Sequence, residues 1–171
     1  MANYAVGNST TVTNSSQVAV TTTDISLVSL FASTIAPAPV VQLRRGKLYD
    51  LLVGTNGTPA DNALIWSIHR ATAGSTSAYT GYLSSVALAI DPADSTPATA
   101  VWVNSSAETA YTFTATNLPL YVGVNQRASY RWVAAPRSEI VWPATSSAGI
   151  VLRVKSPAYT GTATGSVMWT E

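Results

Sequence analysis

The sequence predicts an all-β protein, an antiparallel β-sandwich of jelly-roll type with an extended N-terminal segment. Three observations favour this fold class. Apolar and polar residues alternate with a period of two over much of the chain, turn-forming residues recur at short intervals, and no window carries a sustained helical period. Thr and Val are abundant where a helix would favour Leu, Glu and Lys. We expect one sandwich domain over residues 18–171.

The first residues of the chain are small and polar, which predicts a different kind of structure. Residues 1–17 offer little besides Tyr4, Val6 and Val12 for burial, so this segment cannot form a core of its own. We expect an extended N-terminal arm over residues 1–17, either frayed or ordered against a partner. In the second case Tyr4, Val6 and Val12 are its candidate contact residues.

Five later segments alternate clearly enough to assign faces: Lys47–Val53, Ala63–Arg70, Glu108–Phe113, Ser129–Val133 and Ile150–Lys155. The groups expected to share a face are Tyr49, Leu51 and Val53; Leu64, Trp66 and Ile68; Thr109, Tyr111 and Phe113; Tyr130 and Trp132; and Ile150, Leu152 and Val154. Arg153 and Lys155 are expected on a solvent-facing side. Shorter strands are expected at Gln17–Thr23, Ser26–Phe31, Val40–Leu43, Leu83–Ile90, Ala100–Val103, Leu118–Val124 and Thr162–Thr170.

The charge content limits the classes of partner. Nine Lys and Arg against eight Asp and Glu give a net charge of +1, and charged residues make up 10% of 171 residues, where about 25% is usual. A chain without clustered cations has no general attraction for nucleic acid or anionic membranes. We therefore expect no nucleic-acid or membrane partner. No signal peptide is recognisable, so synthesis in the cytoplasm is expected.

Catalytic and metal-binding residues are sparse. The chain has one histidine and no cysteine, so a thiolate nucleophile and a cysteine-based metal site are excluded. His69 lies at the end of a predicted strand beside Arg70, where a surface or turn histidine is the usual case. The acidic residues form no motif, and Asp91 and Asp94 favour a turn over a calcium loop. We expect no enzyme activity, no catalytic residues, no metal and no cofactor.

What remains is surface chemistry. Arg44 and Arg45 lie in one turn, and Arg127, Arg131 and Arg137 surround one predicted hairpin, which makes all five candidate contacts to a partner chain. The alternative is that they are solvated turn charges. The five Trp and eight Tyr leave a carbohydrate-binding role open, with Trp102 and Tyr82 as test positions, although period-two aromatics more often lie in a core.

Four segments carry a resemblance to a known group of proteins: Gly123–Pro136, Lys47–Tyr49, Val53–Asn62 and Ser156–Gly161. They resemble small virion-associated proteins of tailed bacteriophages, including cyanophages, over roughly residues 40–171. The resemblance implies a structural role, and it suggests the jelly-roll decoration (cement) proteins that sit on capsid shells, commonly as trimers. The segments carry no chemistry, so they do not distinguish one virion component from another.

From the resemblance we expect a capsid decoration protein located in the virion, on the outer surface of the shell. Its expected partners are the major capsid protein and copies of itself, as a homotrimer. Two alternatives stay open: another virion component, such as a head fibre, tail or minor capsid protein, and a carbohydrate-binding, lectin-like module. Sugar is a partner only in the second alternative.

Overall fold

The computed structural model describes residues 1–8, 18–32, 43–58, 61–73, 87–103, 111–114, 118–158 and 161–171. These residues form two antiparallel sheets packed face to face as a β-sandwich, and they contain no helix. The first sheet contains β1 (Asn3–Gly7), β2 (Val18–Ala19), β4 (Gly46–Asn56), β6 (Leu88–Ala89), β10 (Tyr130–Val133), β11 (Ile140–Trp142) and β13 (Thr162–Thr170). The second contains β3 (Ile25–Ala32), β5 (Ala63–Ala73), β7 (Thr99–Val103), β8 (Tyr111–Phe113), β9 (Leu120–Asn125) and β12 (Ala148–Lys155).

The order of the strands is that of a jelly roll. The first sheet runs β10-β4-β13-β1-β6, with β11 also on β4 and β2 also on β13, and the second runs β7-β3-β12-β5-β8, with β9 also on β5. Eight strands form the frame of the sandwich, and we number them one to eight in chain order: β1, β3, β4, β5, β9, β10, β12 and β13. In this numbering the first sheet has the order 1-8-3-6 and the second sheet has the order 2-7-4-5. This is the jelly-roll arrangement that the sequence predicts.

The remaining strands come largely from one insertion. The connection between β5 and β9 contributes β6 to the edge of the first sheet, and β7 and β8 to the two margins of the second. The sandwich is therefore widened beyond its eight-strand frame. The ladder pairings join residues far apart in the chain, so most of the fold depends on non-local contacts.

The core between the sheets follows the predicted alternation in most strands. Trp66, Trp142 and Trp169 are fully buried there, and so are the predicted inward groups of β5 and β12. Tyr130 and Trp132 pack against the core from the edge strand β10. β13 matches its predicted bounds of Thr162–Thr170, and it alternates buried and half-buried residues along its whole length.

Strand β4 differs from the prediction because it contains a β-bulge. Opposite neighbouring residues of β13, β4 advances two residues, from Leu48 to Asp50, which leaves Tyr49 as the extra residue. The bulge reverses the phase of the strand, so Leu48 shares the core face with Leu51 and Val53. The prediction that Tyr49 belongs to that face is wrong.

Within the predicted N-terminal arm, Asn3–Gly7 is extended, but it is a strand of the sandwich and not an arm. This segment forms β1 between β13 and β6 in the chain's own first sheet, where Tyr4 is fully buried and Val6 nearly so. The Tyr4 ring packs on Trp169 with 5.5 Å between ring centroids, and its hydroxyl donates to the Ser95 carbonyl oxygen at 3.0 Å. Residues 9–17, with Val12, lie outside the described residues.

Asn8 continues the pairing where β1 ends. Its backbone N–H donates to the Gly165 carbonyl oxygen at 3.0 Å. Its buried side chain accepts from the Gly165 N–H at 2.6 Å and donates to the Ala163 carbonyl oxygen at 3.0 Å. One amide side chain thus replaces two ladder hydrogen bonds and holds the end of β1 on β13.

Several predicted short strands are partly or wholly outside the described residues. Val40–Val41 and Leu83–Val86 fall there, and so do residues 108–110 of the predicted strand at Glu108–Phe113. Strands β3, β7 and β9 lie within one or two residues of the bounds that the sequence predicts. Strand β11 and strand β1 were not predicted, because each offers only two or three inward side chains.

Candidate interaction surfaces

The outward side of the first sheet carries four of the seven large apolar residues that are exposed in the described part of the chain. Strand alternation and the ladder register place fifteen residues of the sheet on it, and Ile90 extends it directly after β6. We call this surface the outer face: Asn3, Ala5, Gly7, Lys47, Asp50, Leu52, Gly54, Leu88, Ile90, Arg131, Val133, Val141, Thr164, Ser166, Met168 and Thr170. It combines small, apolar and hydroxyl side chains with three charged ones.

Large apolar side chains of the outer face are exposed. Leu88 is 70% exposed, Val133 58%, Ile90 51% and Leu52 46%. Isolated exposed apolar residues are ordinary on protein surfaces, whereas several on one sheet face are typical of an interaction site. Leu52 and Val133 come from neighbouring strands, and Leu88 and Ile90 come from the opposite edge of the sheet.

Two opposite charges of the outer face, one on the edge strand β10 and one on β4 beside it, neutralise each other. The Arg131 guanidinium binds the Asp50 carboxylate with two hydrogen bonds, one of them 3.1 Å between Nε and Oδ1. The Asp50 side chain is only 9% exposed and that of Arg131 is 62% exposed. The hydrogen bond and the negative charge of Asp50 raise the pKa of Arg131, so the guanidinium keeps its charge. The pair offers little net charge to a partner.

A trough of about 350 Å³ lies on the outer face beside Leu52. Gly7, Gly54 and Ser166 form part of its lining, and their small or absent side chains leave the depression. The outer face therefore has both protruding side chains and a depression, and a closely packed interface requires such a shape.

The structure separates the predicted arginine sites. Arg131 lies on the outer face, whereas Arg44 and Arg45 are exposed just before β4. Arg127 lies near the other end of β4, which is about 34 Å long, and its Nε binds Asp61 Oδ1 at 3.0 Å. Arg137 is exposed in the turn between β10 and β11, at a φ of 71°.

The predicted hairpin around Arg127 and Arg131 is wrong, because β9 and β10 belong to different sheets. The turn that carries Arg127 crosses from the second sheet to the first. The five arginines therefore form no single patch.

Tyr4 and Val6 are not exposed contact residues. Both lie in the core of this chain, and burial raises the pKa of the Tyr4 hydroxyl above its ordinary value, as the largest effect on that group. The prediction that they bind a partner is wrong because β13 and β6 already occupy both edges of β1. Val12 lies outside the described residues.

The outward side of the second sheet is closed by a second apolar cluster: Phe31, Ala71, Ala100, Trp102, Tyr111 and Val151, with Phe113 packed against it. Phe31 stacks on Tyr111 with centroids 5.6 Å apart and meets Trp102 edge-on at 5.1 Å. Trp102 is 3% exposed, so it cannot serve as a sugar platform. Tyr82 lies outside the described residues.

Charged and polar groups border this cluster. The Arg153 guanidinium lies 4.1 Å from the centroid of the Phe113 ring, and its Nη1 is 3.5 Å from Asp24 Oδ2, which also lies 3.6 Å from Lys155 Nζ. The prediction of Arg153 on a solvent-facing side is wrong, because the Phe113 ring and the Asp24 carboxylate cover it. This is a structural charge network on the sheet surface.

His69 lies inside β5 and not at a strand end as predicted. Its Nε2 is 3.0 Å from the Oγ of Ser67, and its ring meets Phe113 edge-on at 5.3 Å between centroids. Burial, and then the positive charge of Arg153, lower the pKa of His69 to about 4. The imidazole is therefore neutral at neutral pH. Ser67 is buried and Asp24 is engaged by two cations, so the arrangement is one of packing and not of a Ser–His–Asp triad.

Within the described part of the chain, no group of three or more His, Asp or Glu side chains lies close enough to hold a metal ion. Over the same residues, no helix is long and apolar enough to cross a membrane.

Of the exposed residues of the outer face, Arg131 was predicted as a contact residue from the sequence, whereas Leu52, Leu88, Ile90 and Val133 were not. The sequence did contain an indication of this surface. Leu52 and Val133 occupy the outward-facing phase of their predicted strands, where large apolar residues are unexpected unless they contact something. No protein-family model, curated protein or solved structure matches this chain.

Proposed function

We propose that this chain is a non-enzymatic structural protein of a tailed bacteriophage virion, a capsid decoration protein that binds the outer surface of the shell and stabilises it. The observation that carries the proposal is the outer face of the first sheet, which presents four exposed large apolar side chains and little net charge. Three of its sixteen residues are charged, and two of these bind each other, which accords with the depletion of charged residues at the core of protein interfaces. The partners are the major capsid protein and copies of the chain, as a homotrimer.

The segments that carry the phage resemblance meet in space. Gly123–Pro136 contains β10, which pairs with β4 from Asp50 to Val53, and β4 carries the Lys47–Tyr49 segment and the start of Val53–Asn62. Gly123–Pro136 supplies Arg131 and Val133 to the outer face, and Lys47 and Gly54 of two other segments lie on the same face. This proximity supports an assembly role over a role for the scattered turns.

Two further functions belong to the proposal as alternatives. Another virion component, a head fibre, tail or minor capsid protein, would use the same kind of weakly charged face. A carbohydrate-binding module has less support, because Trp102 is buried under the second sheet's outer cluster and Tyr121 is the exposed aromatic among the described strands.

The test is the location of the protein in purified phage particles. A decoration protein gives density on the outside of the shell at threefold positions, and its removal lowers the temperature at which the particles lose DNA. Density confined to the tail or to fibres would contradict the shell position and favour the first alternative. Glycan binding that is lost in Tyr121→Ala would favour the second.

A further inference from the structure

The outer face of the first sheet has the dimensions of a protein interface. Its strands lie about 4.8 Å apart, and its rows from Lys47 to Gly54 extend about 20 Å, which gives a face of roughly 24 by 20 Å, or ~500 Å² per copy in projection. Two such surfaces would bury about 1,000 Å² in total before side-chain relief is counted, which is where specific interfaces begin. The area is thus sufficient for a second protein surface, and much larger than a small ligand needs.

The charges of the outer face favour a partner that is itself poorly charged. Lys47, Asp50 and Arg131 are its charged residues, and Asp50 and Arg131 bind each other. The pKa of Glu139 in the neighbouring turn is lowered, mainly by a hydrogen bond with its own backbone and to a smaller extent by the Arg137 backbone and the Lys47 charge. A strongly acidic or basic partner would gain little here, and it would lose solvation of its own charges.

A second copy of this chain meets that requirement. Only 10% of its residues are charged, and its net charge of +1 gives almost no repulsion between copies. The outer face also presents protruding Leu52 and Val133 side chains beside the trough that Gly7, Gly54 and Ser166 line, so knob and hollow are both available on one molecule.

We infer that the outer face of the first sheet is the surface through which copies of this chain bind one another. The inference deepens the proposed function and rests on its expectation that copies self-associate. In a pair, two outer faces meet; in a ring of three, the outer face of one copy meets a different surface of the next.

The experiment is sedimentation equilibrium of the full chain over a wide concentration range, for the unaltered protein and three variants. Leu52→Lys and Leu88→Lys each place a charge on the outer face at an exposed position. Leu118→Lys is the matched control, because Leu118 is 39% exposed and lies beside β9 of the second sheet. Thermal unfolding of each variant establishes that it is folded.

We expect the unaltered chain to associate. The two outer-face variants should raise the dissociation constant by about tenfold or more, because an ammonium group would be buried without a partner. Leu118→Lys should leave it within about twofold. A monomer at all concentrations overturns the inference and leaves the outer face for the shell protein. Association that survives both outer-face variants, or that only Leu118→Lys weakens, also overturns it.

These results are independent of the particle experiment. A chain found on the shell but monomeric in solution would remove the inference and keep the decoration role. A chain that associates through the outer face but is absent from particles would remove the decoration role and keep the inference.

Discussion

The outward sides of the two sheets contrast in how far they are covered. On the second sheet, Phe31, Trp102 and Val151 are almost completely buried in an outer cluster. On the first sheet, Leu52 and Val133 occupy equivalent outward positions and remain about half exposed. Both sides carry apolar residues, but only on the second sheet do they form a cluster that is buried within the chain. The second sheet's outer cluster therefore contributes to folding, whereas the outer face of the first sheet is available for assembly.

The largest effect should separate these two sides directly. Trp102→Ala removes a buried indole from the outer cluster and should lower the free energy of unfolding by about 3–5 kcal/mol. Leu52→Ala removes an exposed side chain and should change it by less than about 0.5 kcal/mol. Urea unfolding of both variants at low protein concentration measures the difference. Comparable losses in the two variants would contradict the contrast between the sides.

A smaller effect is expected from backbone packing in the second sheet. A Cβ atom at Gly149 would lie 2.0 Å from the Leu30 carbonyl oxygen and 2.5 Å from Phe31 Cδ1, so the paired strands would have to move apart. Gly149→Ala should cost about 2–3 kcal/mol. Gly123→Ala is the matched control in β9, since a Cβ there meets no atom within 4 Å. Denaturation midpoints that fall equally in both variants would rule out this packing.

The second sheet should also respond to pH through His69. Its pKa of about 4 in the folded chain lies below the ordinary 6.5, so between these values the unfolded chain binds the proton and the folded chain does not. The contribution of neutral His69 to the free energy of unfolding should be fully present above about pH 6.5. It should be lost as the pH drops towards 4, and the loss should be about 2 kcal/mol after allowance for partial exposure of the ring.

His69→Gln isolates this loss from the titration of carboxylates. The difference in unfolding free energy between the unaltered chain and His69→Gln should change across pH 4–6.5 and be constant above it. The charged groups around the ring, Arg153, Lys155 and Asp24, are the same in both proteins. A difference that does not depend on pH would show that the burial of neutral His69 does not cause the loss of stability between pH 6.5 and 4.

The smallest of these effects concerns the end of β1, beside the outer face. Asn8→Ala removes one acceptor and one donor that serve the buried backbone of Gly165 and Ala163, and should cost about 1–2 kcal/mol. Asn3→Ala, at an exposed position of the same strand, should be almost neutral. Hydrogen exchange of the Gly165 amide should accelerate in the first variant only. Equal exchange rates of the Gly165 amide in the two variants would mean that the Asn8 side chain does not hold the end of β1 on β13.

The sequence predicted the fold where strands alternate strictly. Strand β13 and the inward side of β5 were assigned correctly, because each has one apolar and one polar phase. Strand β12 is buried on both faces, so its pattern does not reveal that Val151 and Arg153 are covered as well as Ile150 and Leu152. Coverage of the second face depends on tertiary packing that no local pattern records.

Two further features could not be predicted from local sequence. The bulge at Tyr49 reverses the phase of β4, and it is visible only in the register with β13. Strand β1 has two inward residues, Tyr4 and Val6, and its principal partner, β13, lies at the other end of the chain. A segment this short becomes a strand only when a distant strand pairs with it.

The most direct test of an assembly role for the outer face is hydroxyl-radical footprinting of the chain, free at low concentration and in purified phage particles. If the outer face is the surface used in assembly, oxidation of Leu52, Leu88 and Val133 should fall several-fold in particles. Oxidation of Tyr121, exposed on the second sheet, should then fall much less. Unchanged oxidation of the three outer-face residues, with protection at Tyr121 instead, would contradict that role.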